Sequence, residues 1–262
     1  MWDYFIVFIL IGLVTGLLAG LLGIGGGVIT VPCLYYLFSF TELPESRWMQ
    51  IAASTSLAAT CITSLASTLA HHQKKSILLP PLKLLVPGLV LGSITGSYLS
   101  HQFSSHTVRI IFGGLSLLLG VYFFFPHLPH LRLGSHINRG LSVFGVLIGT
   151  LSSLLGIGGG LFTIPILMGY QVPLKNALGT SSVSTLFSAF LGTFSYLLIG
   201  WGKNPIPYTV GFIYLPALIF IASASLCTSP IGAHLSHFFS VTLIKRILGA
   251  VIIFTGLTMF LF

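Results

Sequence analysis

Gly16-Leu-Leu-Ala-Gly-Leu-Leu-Gly-Ile-Gly-Gly-Gly-Val-Ile-Thr-Val-Pro32 and Gly149-Thr-Leu-Ser-Ser-Leu-Leu-Gly-Ile-Gly-Gly-Gly-Leu-Phe-Thr-Ile-Pro165 are one pattern written twice. Each copy places four glycines in five residues (Gly23, Gly25, Gly26, Gly27; Gly156, Gly158, Gly159, Gly160) inside an apolar stretch. Each glycine costs a helix interior about 1 kcal/mol, so the cluster breaks the helix. If the stretch lies in a membrane, the break survives only where it is buried in protein or lines a cavity. The short segments that follow, from Val28 and Leu161, then aim unpaired N–H groups and a positive dipole end at that cavity. Two such ends facing one another make an anion site with no charged side chain.

Working outward, two further matches occur in the same order. Ala52-Ala-Ser-Thr-Ser56 answers Ala177-Leu-Gly-Thr-Ser181, and Gly96-Ser-Tyr-Leu-Ser-His-Gln-Phe-Ser104 answers Gly232-Ala-His-Leu-Ser-His-Phe-Phe-Ser240. Three blocks in one order imply two homologous halves, 1–128 and 139–262, joined by a loop over 129–138. Of the 262 residues, 55% are hydrophobic and 5% charged, far below the quarter or so that a water-solvated domain carries. Apolar blocks run over Tyr4–Leu22, Val28–Phe40, Trp48–Ala70, Pro80–Ser100, Thr107–Phe125, Leu141–Leu155, Leu161–Tyr170, Leu174–Gly200, Tyr208–Ala233 and Leu243–Phe262. Several reach the ~20 residues of a spanning helix, while Val28–Phe40 and Leu161–Tyr170 are too short to cross. The expected fold is all-α and polytopic: two repeats, each of about four spanning helices and a Gly-broken hairpin or half-helix.

Charge excludes several chemistries and orients the repeats. Lys and Arg number 11 against 3 acids, Asp3, Glu42 and Glu45, so no carboxylate follows Arg47. That removes carboxylate acid–base catalysis, carboxylate metal cages and an Asp/Glu proton relay from the rest of the chain. The net charge of +8 is scattered between apolar runs, as in cytoplasmic loop anchors, and calls for no nucleic acid. If each Gly-broken segment crosses once, the basic residues divide six against five. If each is a hairpin, eight (Lys74, Lys75, Lys83, Arg132, Arg139, Lys175, Lys245, Arg246) face three (Arg47, Arg109, Lys203). The positive-inside rule favours the second arrangement: inverted repeats in the cytoplasmic membrane with the N-terminus outside.

The candidate substrate-binding set follows. It comprises the eight motif glycines, the half-helix starts Val28 to Thr30 and Leu161 to Thr163, and the hydroxyls Thr55, Ser56, Thr180 and Ser181 at matching places in both halves. Hydroxyls donate to oxyanions without burying a charge, although they also bond helix carbonyls. Close packing is the competing reading of the glycines, and it suits Gly12-x-x-x-Gly16-x-x-x-Gly20 and Gly92-x-x-x-Gly96. His101 and His237 are repeat-equivalent near span ends, where a positional role stands beside gating or proton coupling. His71, His72, His127, His130 and His136 fall in connectors. Cys33, Cys61 and Cys227 are scattered through apolar segments and read as packed thiols, with neither a disulfide framework nor a metal site expected. Ser100-His101 and Ser236-His237 are adjacent and cannot face one another on a helix, so no nucleophile–base pair emerges and no enzyme is expected.

The doubled Gly-Leu-Leu-Gly-Ile-Gly-Gly-Gly-x-x-x-x-Pro pattern with its later Thr-Ser block resembles the TauE/SafE sulfite exporter family over essentially the whole chain. The resemblance implies a carrier that moves small sulfur-containing or organic anions, such as sulfite or sulfonates, outward across the cytoplasmic membrane. It carries over to the glycines at 23–27 and 156–160 and to Pro32 and Pro165. A passive anion channel and a non-transporting membrane assembly factor remain as alternatives. The partners implied are a small anion and the lipid bilayer, with a homo-oligomer left open; no cofactor and no metal are called for.

Overall fold

The computed structural model describes residues 4–41, 44–125, 133, 140–202, 207–236 and 238–261. The linker 129–138 therefore falls almost wholly outside the described residues, as do His127, His130, His136 and His237. Ten α-helices account for nearly everything else described: α1 Phe5–Leu22, α2 Gly27–Phe38, α3 Trp48–Gln73, α4 Leu79–Gln102, α5 Ser105–Phe124, α6 Gly140–Leu155, α7 Gly160–Gly169, α8 Leu174–Gly200, α9 Leu215–Leu235 and α10 Val241–Leu261. Among them, α1, α3, α4, α5, α8, α9 and α10 are long and apolar enough to cross a membrane. The chain is a multi-pass, all-α membrane protein.

The boundaries follow from local chemistry. Gly23 ends α1 in the left-handed region at φ +64°, its N–H bonded to the Ala19 carbonyl, and Gly26 opens α2 at φ +85°. Prolines fill the first turns of α4 and α9, where the missing N–H has no intrahelical role. Ser104 caps α5 by accepting the Thr107 N–H at 3.1 Å. One apolar block departs from a helix throughout. Within Tyr208–Ala233, Thr209–Val210 pairs antiparallel with Ile213–Tyr214, giving a β1–β2 hairpin before α9 begins at Leu215. Gly211, at φ +60°, makes the reversal, and the Phe212 side chain turns into the bundle with 2% exposure.

Small residues set the helix pairing. A Cβ placed on Gly88, Gly92 or Gly96 of α4 would lie 2.1 Å from the Ser142, Val146 or Thr150 carbonyl of α6. The contacts climb together in residue number, so α4 and α6 run parallel. Gly12, Gly16 and Gly20 of α1 meet Ile221, Ser225 and Ser229 of α9 in the same way. By contrast α3 and α8 run antiparallel, with Leu57 at Gly192 and Thr68 at Ser182, and so do α5 and α10, with Gly113 at Phe260 and Gly249 at Phe124. Thr63 bonds Ser225 and Ser54 bonds the Phe212 carbonyl, so α3 runs parallel to α9 and hence to α1. The chain between α1 and α3 must therefore return, and α2 is the returning limb of a hairpin whose tip is the glycine cluster.

The core lies where α3 and α8 cross. The spanning window of α3 is 78% buried, against half or less for the other long helices. Around this pair the helices fall into two groups, α1 with α3 and α9, and α6 with α4 and α8.

Candidate functional site

The two glycine tips meet back to back at the centre. A Cβ on Gly27 would stand 2.5 Å from the Gly156 carbonyl oxygen, and one on Gly160 2.5 Å from that of Gly23. Gly25 and Gly158 both face the methyl groups of Thr60 and Thr185, which interpose from α3 and α8. All ten residues of the two Gly-Ile-Gly-Gly-Gly segments are buried. The backbone breaks the sequence implies are present: Gly23, Gly25, Gly26, Gly156 and Gly158 occupy positive φ. Gly159 does not; it is right-handed at φ −67° and donates its N–H to Ser188 Oγ at 2.7 Å.

Of the expected half-helix donors, some are already used. The N–H groups of Ile29 and Thr30 bond the Gly26 carbonyl, and that of Thr163 bonds Gly159. The Thr30 and Thr163 hydroxyls return to those same carbonyls. First-turn N–H groups lack an intrahelical carbonyl by geometry, which leaves those of Gly27 and Val28, and of Gly160, Leu161 and Phe162, at the two tips.

The four Ser/Thr candidates cross-link the two parts of the chain. Ser56 donates to the Gly156 carbonyl at 2.8 Å, while Ser181 donates to Gly23 at 3.0 Å. Each hydroxyl thus pins the opposite tip. Thr55 accepts the N–H of Tyr214 ahead of α9 at 2.9 Å, and Thr180 accepts that of Leu78 ahead of α4 at 3.0 Å. The two threonines keep their hydroxyl hydrogens; the two serines spend theirs on tip carbonyls.

Each end of the central pair is stoppered by the segment that these threonines hold. At one end Phe212 sits against Tyr196 and His101, with ring centroids 6.3 and 5.6 Å away. Arg47 approaches both, its Nη1 3.3 Å from His101 Nδ1 and its guanidinium 5.7 Å from the Phe212 ring centre. At the other end Ser76 lies over Gly179, donates to the His71 carbonyl at 3.0 Å and presents its own carbonyl to Asn176. His101 therefore belongs to the cluster around Phe212 and Arg47 at one end of the central pair.

Thr60, Thr185, Ser188 and the Arg47–Phe212 cluster escaped the sequence reading. Thr60 and Thr185 were within reach, because each stands eight residues beyond the matched Ala52 and Ala177. Phe212 carried no signal, since nothing in a run of apolar residues marks the one that turns inward.

The model of the family described as Sulfite exporter TauE/SafE matches residues 8–259. The chain belongs to the TauE/SafE family. A probable membrane transporter protein of Haemophilus influenzae is 32% identical over the whole of both chains. Another from Methanocaldococcus jannaschii is 28% identical over 97% of this chain and 94% of its own. Sulfite exporter TauE/SafE family protein 5 of Arabidopsis thaliana is 28% identical over 42% of this chain and 25% of its own length. No solved structure matches. The match to the TauE/SafE model spans both glycine tips, the Ser/Thr cross-links and both stoppered ends.

Proposed function

We propose that this TauE/SafE protein is a secondary carrier of the cytoplasmic membrane that exports small anions, sulfite or a sulfonate, by alternating access about the two glycine tips. The observation that carries the reading is the meeting of those tips. Two helix breaks converge on one buried point, each followed by a helix whose N-terminus faces it, and none of these segments bears a charged side chain. Such a point favours an oxyanion through N–H groups, dipole ends and the Thr55 and Thr180 hydroxyls. No carboxylate stands there for a cation, and the Gly23 and Gly156 carbonyls are taken up by Ser181 and Ser56.

The two halves are read as inverted repeats, with the N-terminus outside and the Arg47 end facing out. The group α1, α3 and α9 then rocks against α4, α6 and α8, exchanging which stopper is open. An interior-negative potential drives an anion outward by about 2.3 kcal/mol per charge per 100 mV, so export requires no coupled ion.

Counterflow tests this. Proteoliposomes are preloaded with sulfite, taurine, sulfoacetate or chloride, and entry of labelled sulfite is followed. Saturable exchange confined to sulfur oxyanions is expected; flux that neither saturates nor exchanges would mean a channel. Gly26→Leu and Gly159→Leu should abolish exchange while the protein still inserts, and normal exchange in both removes the tips from the mechanism.

A further inference from the structure

Buried hydroxyls that find no partner are not spread evenly through the bundle. Ser93 of α4, Ser153 of α6 and Thr185 of α8 are each fully buried, and their hydroxyl oxygens have no hydrogen-bond partner. A buried hydroxyl without a partner costs on the order of 1–3 kcal/mol, so three on one face call for water or a ligand in another state. Two of the three positions that match them in sequence carry bonded hydroxyls. Thr60, the counterpart of Thr185, donates to the Gly25 carbonyl at 2.9 Å; Ser229, the counterpart of Ser93, donates to the Thr63 carbonyl at 3.1 Å. Ser153 corresponds to Gly20, which has no hydroxyl at all. Among the described residues, the α1–α3–α9 group holds one comparable hydroxyl, Ser67.

These groups line up along the direction α4 shares with α8. Ser188 receives the Gly159 N–H beside the tip. One turn on, the Ser153 hydroxyl lies 2.7 Å from where Gly192 would carry a Cβ, and Ser97 donates to the Gly192 carbonyl at 3.4 Å. A further turn on, Tyr196 donates to the Ser153 carbonyl at 3.1 Å. Beyond Tyr196 stand Phe212, His101 and Arg47.

We propose that the face between α4, α6 and α8 is a hydroxyl-lined track along which a hydrated oxyanion passes between the α7 glycine tip and the Arg47 end, with Phe212 as its plug. The proposal rests on the carrier reading above and assigns it a route on one side of the molecule only. An anion suits the track because its inner end is a helix N-terminus, its walls are hydroxyls and its mouth holds Arg47. α4, α6 and α8 contain no carboxylate.

Thiol accessibility decides it without reference to flux. Cys33, Cys61 and Cys227 are replaced by serine, and cysteines are introduced by Ser93→Cys, Ser153→Cys and Thr185→Cys on the track and by Thr60→Cys and Ser229→Cys on the matching face. Reconstituted protein is treated with impermeant anionic or cationic methanethiosulfonates. The track cysteines are expected to react about tenfold faster than the matching pair, since reaction follows exposure of the thiolate. The anionic reagent should be the quicker, and Phe212→Ala should raise all three rates. Equal rates on the two faces, or faster reaction with the cationic reagent, overturn the proposal; so do rates that ignore Phe212→Ala. If Thr185→Cys fails to insert, Ser93→Cys and Ser153→Cys carry the comparison. Counterflow is read on the unsubstituted protein. One-sided labelling with no sulfur-anion flux defeats the carrier reading alone, and saturable counterflow with equal labelling defeats the track alone.

Discussion

Glycines that look alike in this chain differ in what they do. Gly25 sits at φ +81°, and a Cβ there would lie 2.5 Å from the methyls of both Thr60 and Thr185. Gly114, inside α5, has nothing within 4 Å of the same added atom. Gly25→Ala is therefore expected to lower the thermal midpoint of the purified protein. Gly114→Ala should raise stability by about 1 kcal/mol through helix propensity. Thermal unfolding in one detergent checks both, and equal signs would contradict the assignment. Ser56 and Ser181 give a second pair. Removing either hydroxyl leaves the opposite tip carbonyl buried and unsatisfied, an expected loss of about 1–3 kcal/mol from Ser56→Ala or Ser181→Ala. The same melts measure it; two silent serines would mean that the tips hold themselves. At this scale the glycine breaks and the Thr-Ser pairs were visible in the repeats. Their partners were not, because Ser56 bonds a carbonyl 100 residues away.

Among the elements, length decided the most. Twelve and ten residues give α2 and α7 about 18 and 15 Å, less than a bilayer core, so they turn back rather than cross. That much could be read from the apolar blocks. Pairing could not, although the small-residue spacing on α1 and α4 announced close packing on those helices. Lipid gives no hydrophobic drive between helices, so contact depends on how near two backbones can come. At Gly92 the α6 backbone lies where a side chain would be. Gly92→Leu is accordingly expected to separate α4 from α6 and sharply reduce the yield of monodisperse protein by size exclusion, while Gly114→Leu on α5 leaves it near the parent level. The β1–β2 hairpin shows the reverse: an apolar run of spanning length whose first residues are diverted into a short hairpin by Gly211 and by the docking of Tyr214 on Thr55.

For the whole molecule, the dominant interfaces join the first part of the chain to the second. α1 packs on α9, α4 on α6, α3 on α8 and α5 on α10, and each glycine tip is pinned by a serine from the other part. Fragments 1–128 and 139–262 expressed separately are expected to be degraded, and to copurify when expressed together. Affinity capture through a tag on one fragment checks this, and a first fragment that is stable alone would show that the interfaces are dispensable. The chain's own composition settled that it is a helical membrane protein, because 5% charge cannot solvate a surface. Its doubled motif settled where the helices break, because glycine's cost and freedom are local properties of the backbone. Which hydroxyls are consumed as cross-links, which are left without partners, and which aromatic stops the end of the bundle were decided only by the tertiary structure. Those depend on distances between residues a hundred or more positions apart, and such distances are fixed by how closely helices can pack rather than by any local pattern.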